Sequence, residues 1–369
     1  MNQIADITPT TIPESSLRDY ATLLKPGVMS LVVFTGAAGL WMAPTHIHPF
    51  YQFITILCIA LGSGAGAALN MWYDRDIDAI MNRTQKRPIP AGRIASDDAL
   101  ALGLMLSVAS VSILGLAVSY QAAAWLAFAI FFYAVIYTML LKRTTPHNIV
   151  IGGLAGAFPA LIGWVAASPE PALMPWLMVA IVFFWTPPHF WALALYRHSD
   201  YAKAGVPMLP VTAGIPATKR QILIYTLLLI AVSLTPVLAG AGMAYGIGAA
   251  LLGANFLRHA VRVLRTEEPR NAMRMFGFSI LYLFILFALL VVDHLTQGFS
   301  LAYNCATFAL RPLMILPTNQ GVLHVHRTQS YSSCQLSCHY GYHEREHRVL
   351  DGTELHRRQL VHHLYSRNT

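Results

Sequence analysis

Three oxygen-bearing side chains, Asn70, Asp74 and Asp78, recur every four residues in the stretch NMWYDRDIDA. On a helix that spacing drifts by only about 40° per step, so the three share one face. An amide and two carboxylates are hard oxygen donors of the kind that suit Mg2+, which fills its remaining positions with waters and substrate phosphates. Asp76 points off the stripe and is expected to be a solvated charge or an ion pair near Arg75. Downstream, NRTQKRPIPAGRI carries Arg83, Lys86, Arg87 and Arg93, and Pro88 and Pro90 disfavour helix and hold the segment as a loop. LLKRTTPHNIVIGG repeats the arrangement with Lys142 and Arg143. Any one of these cations, taken alone, reads first as a topology anchor. Beside a carboxylate stripe, Arg83, Arg87, Lys142 and Arg143 are expected to hold a diphosphate, because arginine's planar fork grips phosphate oxygens in pairs.

The elements that position these groups lie in a membrane. Of 369 residues, 56% are hydrophobic and only 11% charged, with a mean hydropathy of +0.51, whereas a soluble domain is about a quarter charged. About nine apolar runs are long enough to cross a bilayer as helices, near 27–43, 50–72, 97–118, 121–141, 149–167, 173–195, 219–240, 242–258 and 275–293. The fold class is therefore all-α, a polytopic membrane protein with about nine transmembrane helices. The net charge of +8 sits in short loops between the runs, which reads as a topology signal and argues against nucleic acid as a partner. Arg75 to Arg93, Lys142 and Arg143, Arg197 to Arg220, and Arg258 to Arg274 all fall on one face, and the alternate loops PTHIHPF and SPEPA have neither Lys nor Arg. The positive-inside rule makes that face, and the N-terminus, cytoplasmic.

Residues 1–26 form a polar cytoplasmic segment with no short apolar core and cleavage site, and the absence of an Arg- and Ser-rich presequence points to a bacterial plasma membrane. Residues 27–296 form the transmembrane domain. Beyond lies a polar tail, 297–369, expected on the opposite side of the bilayer as a disordered or non-homologous extension. It holds Cys305, Cys334 and Cys338 and eight of the 15 histidines, but CQLSCHYGYHEREH is not a standard zinc spacing. An oxidising compartment could join Cys334 to Cys338. Within the membrane, Gly66 and Gly62 continue the face of the stripe, leaving room for a helix or a slender ligand. A diphosphate head at the interface with an apolar tail in the bilayer describes an isoprenoid diphosphate.

These residues resemble the UbiA-type intramembrane prenyltransferases, whose first aspartate-rich motif, N-x-x-x-D-x-x-x-D, matches Asn70, Asp74 and Asp78. Within that family the chain is similar to the haem-farnesylating branch, through NRTQKRPIPAGRI, YTMLLKRTTPHNIVIGGLAGAFPALIGW and FFWTPPHFWALALYRHSDYAKAGVPMLPV. The resemblance runs from about Lys25 to Leu295 and stops at the tail. It implies transfer of the farnesyl group of farnesyl diphosphate to a vinyl group of haem b, with Mg2+ as cofactor and a haem A synthase or cytochrome oxidase assembly factors as partners. Where relatives carry a second aspartate-rich motif, PPHFWALALYRHSDY has only Asp200, with His189 and His198 as the other polar candidates. His189 either ligates haem iron or positions the porphyrin, or it pairs with a backbone carbonyl freed by Pro187 and Pro188. His198 is expected at the interface, and Trp164, Trp176 and Tyr137 as interface anchors or core. The alternatives are a prenyltransferase for another aromatic acceptor, such as a quinone precursor, and a transporter of an anionic lipid or metabolite.

Overall fold

The computed structural model describes residues 15–310, with side chains to Gln297. The chain divides into two units, Met1–Gln297 and Gly298–Thr369. Of the second, only helical backbone to Leu310 is described, so the expectations for the tail's cysteines and histidines lie outside the described side chains.

The described chain is helical, with no strand among its residues. Its elements are α1 (Leu17–Leu23), α2 (Pro26–Trp41), α3 (Pro49–Tyr73), α4 (Arg75–Ile80), α5 (Ser96–Ala117) and α6 (Tyr120–Phe131), which runs into a π-helix, Phe132–Leu141. They continue with α7 (Asn148–Gly152), α8 (Leu154–Ala167), α9 (Leu173–Tyr196), α10 (His198–Lys203), α11 (Leu209–Thr212), α12 (Ile215–Leu238), α13 (Met243–Arg265) and α14 (Pro269–Leu310). Eight helical stretches are long and apolar enough to cross a membrane, and α1 with α2, bent by 53°, makes a ninth if counted as one span. The bend has a length argument behind it. At 16 residues, α2 covers about 24 Å of a hydrocarbon core about 30 Å thick, and α1 extends it toward the polar face. A capping box between Ser16 and Asp19 starts α1, where the sequence reading expected only a polar segment.

With no water to expel between helices in lipid, association rests on close packing and interhelical hydrogen bonds. Crossing of α2 over α8 shows the first: a Cβ on Gly39 would collide with the Ala160 backbone, and one on Gly163 with the Gly36 carbonyl. Ser233 shows the second, taking the Tyr245 hydroxyl on its carbonyl at 2.7 Å and the Tyr282 hydroxyl on its own Oγ at 2.9 Å. Asp293, buried on α14, accepts the Gly242 N–H at 2.6 Å and so caps the start of α13.

Candidate active site

The stripe forms, and it does so across a helix break. α3 ends at Tyr73 and α4 begins at Arg75, with Asp74 between them. The helical hydrogen bonds nevertheless continue, Asp74 N to the Asn70 carbonyl at 3.0 Å and Asp78 N to the Asp74 carbonyl at 2.8 Å, which keeps the three residues in register. All three are buried, at 4%, 0% and 2% exposure. Burial of charge at this level is unfavourable unless it is paired, and each group is.

Asn70 Nδ2 donates to Asp74 Oδ2 at 2.7 Å and to Thr138 Oγ1 at 3.2 Å. Its Oδ1 accepts from Lys25 Nζ at 2.7 Å. Lys142 pairs with Asp74 Oδ2, and Arg143 reaches Asp74 Oδ1 at 3.4 Å. Arg87 pairs with Asp78 Oδ2 at 2.5 Å, while Thr84 Oγ1 donates to the Asp78 carbonyl at 2.9 Å and fixes the start of the loop. Lys25, Arg87, Lys142 and Arg143 thus gather around Asn70, Asp74, Asp76 and Asp78, four basic side chains to three carboxylates, a setting that favours an anion.

Lys25 was not among the residues singled out by spacing, because it lies 45 positions from its partner. It is the only non-glycine among the described residues with a positive φ, 52°, and it forms the hinge between α1 and α2. Beside it opens a groove of about 490 Å3, lined by Arg18, Thr22, Lys25, Met71 and Arg87 among others. Strained backbone of this kind persists where surrounding contacts over-determine it, here the bond to Asn70.

The π-helix supplies the opposite wall. Its wide turns bond five residues back, Lys142 N to the Tyr137 carbonyl at 2.8 Å, and such turns recur at functional sites. They bring Thr138 against Asn70 and stack Tyr133 on Tyr137 at 5.6 Å. Tyr133 lies over Gly66, where a Cβ would come within 2.9 Å of its ring, so the glycine expected to admit a close neighbour does so.

Other expected residues are placed differently. The fork of Arg143 closes on Asp76, with two hydrogen bonds of 2.7 Å, and its guanidinium stacks on Tyr73 at 4.7 Å. That contact, first, holds the Asp76 carboxyl below the usual range. The partner of Asp76 is therefore Arg143 and not Arg75, which donates to the Trp72 carbonyl. Arg83 is exposed and touches no stripe carboxylate, but lies against the Tyr201 phenol. Burial pushes that phenol up, against the pull of Arg83 and Arg87. Asp200 is buried, taking Asn82 Nδ2 on Oδ1 at 3.2 Å while its Oδ2 has no partner. His189 stands apart from the cluster: its ring stacks between Trp185 at 4.2 Å and Phe276 at 4.4 Å. Its Nδ1 meets Ser279 Oγ at 2.5 Å, so its partner is a side chain of α14 and not a carbonyl freed by the prolines. Because the Ser279 hydroxyl donates to the Phe276 carbonyl at 2.6 Å, the histidine is the donor in that pair.

The donor chemistry fits magnesium. The stripe offers only oxygen, from one amide and two carboxylates, and among the described residues no three His, Cys, Asp or Glu side chains converge into a complete cage. An incomplete set of carboxylates finished by water and phosphate is the usual surrounding of Mg2+.

The UbiA prenyltransferase family model matches residues 32–288. Among curated proteins, the chain is 58% identical to the protoheme IX farnesyltransferase of Azorhizobium caulinodans over 286 residues, 76% of this chain and 93% of the relative. It is 54% identical to that of Methylocella silvestris over 294 residues, 78% and 93% of the two chains. Among solved structures, a UbiA homologue from Aeropyrum pernix superposes with a TM-score of 0.61 at 21% identity, covering 72% of this chain and 98% of that one. One from Archaeoglobus fulgidus bound to DMAPP and Mg2+ gives 0.53 at 15% identity, covering 74% and 99%. The structural likenesses establish the shared fold, and together with the sequence matches they place this multi-pass membrane enzyme: the chain belongs to the UbiA prenyltransferase family.

Proposed function

We propose that this prenyltransferase moves the farnesyl group of farnesyl diphosphate onto a vinyl group of haem b, with addition of water, giving haem O and diphosphate. The observation that carries the reading is the convergence of Lys25, Arg87, Lys142 and Arg143 on the buried Asn70, Asp74 and Asp78, in a chain whose relatives of more than half identity are protoheme IX farnesyltransferases.

The difficult step is heterolysis of the C–O bond, which leaves its electron pair on a diphosphate of high charge. Magnesium, when held by Asn70, Asp74 and Asp78, supplies charge neutralisation to the departing oxygens. The chain's own cations do the rest. Arg87 and Lys142 each sit on a stripe carboxylate, poised to share their N–H donors with phosphate oxygens as charge develops. Lys25 orients the Asn70 amide from the groove side, and Asp200, with an unpartnered oxygen, serves the same pocket from α10. Arg83 and Arg143 act at the rim, where they attract the anion. The farnesyl cation needs dry surroundings to escape capture by water, and next to the stripe the stacked rings of Tyr133 and Tyr137 supply aromatic surface. The vinyl carbon then adds to the farnesyl carbon, water adds its oxygen to the resulting haem-side cation, and a proton leaves. His189, enclosed between Trp185 and Phe276 and bonded to Ser279, ties α9 to α14 and takes no part in holding the diphosphate.

The distribution of Lys and Arg over the loops supports an N-terminus in the cytoplasm of a bacterial cell. A haem O-oxidising enzyme is the partner this product implies. The test is haem extraction and mass spectrometry from cells lacking their own activity. The intact chain yields haem O, and Asp74→Asn lowers the yield by roughly a hundredfold or more, the usual scale for losing a group that stabilises transition-state charge. Haem O formed equally by the variant would remove the stripe from the chemistry.

A further inference from the structure

Outside the catalytic cluster, the strongest unexplained feature is the polar end of α13. Arg258, Arg262 and Arg265 follow one another at helical spacing on its outward face, and among the described residues none is in an ion pair. They line a groove of about 540 Å3 whose other walls include Ala254, Leu257 and Val261. Glu267 and Glu268, in the next loop, turn to none of them within ion-pair distance. Arg274 comes from α14, close enough for its charge, with those of Arg258 and Arg262, to act on His259, whose ring stacks on Phe278 at 5.0 Å. Two helices therefore concentrate cations here, and among the described residues no carboxylate is within ion-pair distance of Arg258, Arg262 or Arg265.

A topology anchor needs only a charge on the correct side of the bilayer. Arg258 lies about 10 Å along the helix axis from Arg265, so the three guanidinium groups form a row along the helix and not a single charge at its end. The helix end would ordinarily repel an anion through its exposed carbonyls. That repulsion is reduced, because Lys219 Nζ donates to the Thr266 carbonyl at 2.6 Å. The groove thus grades from guanidinium groups at its polar end to small and aliphatic side chains toward the membrane interior, the profile of a lipid with an anionic head.

We propose that this groove binds an anionic phospholipid, its phosphate held by Arg258, Arg262 and Arg265 and one acyl chain lying along Ala254, Leu257 and Val261. The experiment is native mass spectrometry of the full chain from mixed micelles of phosphatidylcholine and phosphatidylglycerol, with and without excess inorganic phosphate. The intact chain retains phosphatidylglycerol in preference, and free phosphate does not displace it, because the acyl contact is missing. The variant Arg258→Gln/Arg262→Gln/Arg265→Gln binds phosphatidylglycerol roughly a hundredfold more weakly, each arginine near an anionic surface being worth roughly fivefold. Arg258→Lys/Arg262→Lys/Arg265→Lys keeps most of the preference, and melting curves establish that both variants are folded. Equal retention of the two lipids by the intact chain overturns the proposal without any variant, as does displacement by inorganic phosphate alone or undiminished binding by the glutamine variant.

Discussion

At the scale of single residues, the site is a negotiation among buried charges. Asp74 and Asp78 are nearly inaccessible, and each is tolerated because a cation sits on it. Removing one partner of a buried pair costs about 3–5 kcal/mol, so alanine at Arg87 would confound catalysis with folding. Lys25 permits a cleaner test. Its backbone is left-handed, a conformation glycine adopts without strain, so Lys25→Gly removes the amine while suiting the turn. We expect Lys25→Gly to keep the melting temperature within a few degrees and to lose about tenfold or more in farnesyl transfer, with Lys25→Arg recovering part of the loss. A charge-assisted hydrogen bond of roughly 1.5–3 kcal/mol sets that scale. Activity unchanged in Lys25→Gly would reduce the contact with Asn70 to a packing detail. Much of this arrangement was legible in the sequence: a four-residue period puts Asn70, Asp74 and Asp78 on one face whatever surrounds them, and basic residues stand close by in the chain. Lys25, Thr138 and the pairing of Asn82 with Asp200 were not legible, because tertiary packing brings them together across 45, 68 and 118 positions.

Elements show a different division. Apolar length alone marks the spans, since a bilayer leaves no alternative to internally bonded helices, and the expected runs coincide with the observed helices. The π-helix Phe132–Leu141 has no comparable signature, because its apolar composition is that of any buried helix. Its wide turns matter nonetheless: they set Thr138 and Lys142 against the stripe. The α2 and α8 crossing is legible only as an abundance of small residues, and the structure shows which of them are in contact. Gly39→Val would drive a side chain into the Ala160 backbone, and overpacking of this kind costs about 1–3 kcal/mol or more. The expected result is a lower melting temperature and a smaller monodisperse fraction, whereas Gly277→Ala, with nothing within 4 Å of its added carbon, leaves both nearly unchanged. Equal effects from the two substitutions would mean that the crossing does not limit stability.

For the whole molecule, the arrangement separates two solvents for two halves of one substrate. Charged loops gather Asp74, Asp78, Arg87 and Lys142 at the polar end of the bundle, and the apolar helices continue beneath them. In the proposed reaction the diphosphate leaves toward water while the farnesyl chain stays out of it. The most direct measurement is reconstitution of the purified chain, and of a version ending at Gln297, with haem b, farnesyl diphosphate and Mg2+, following diphosphate release and haem mass in the same samples. Both proteins are expected to form haem O in step with released diphosphate, and chelating the metal is expected to stop both signals. Diphosphate released without a haem product, or haem O formed undiminished after chelation, would contradict the proposed reaction.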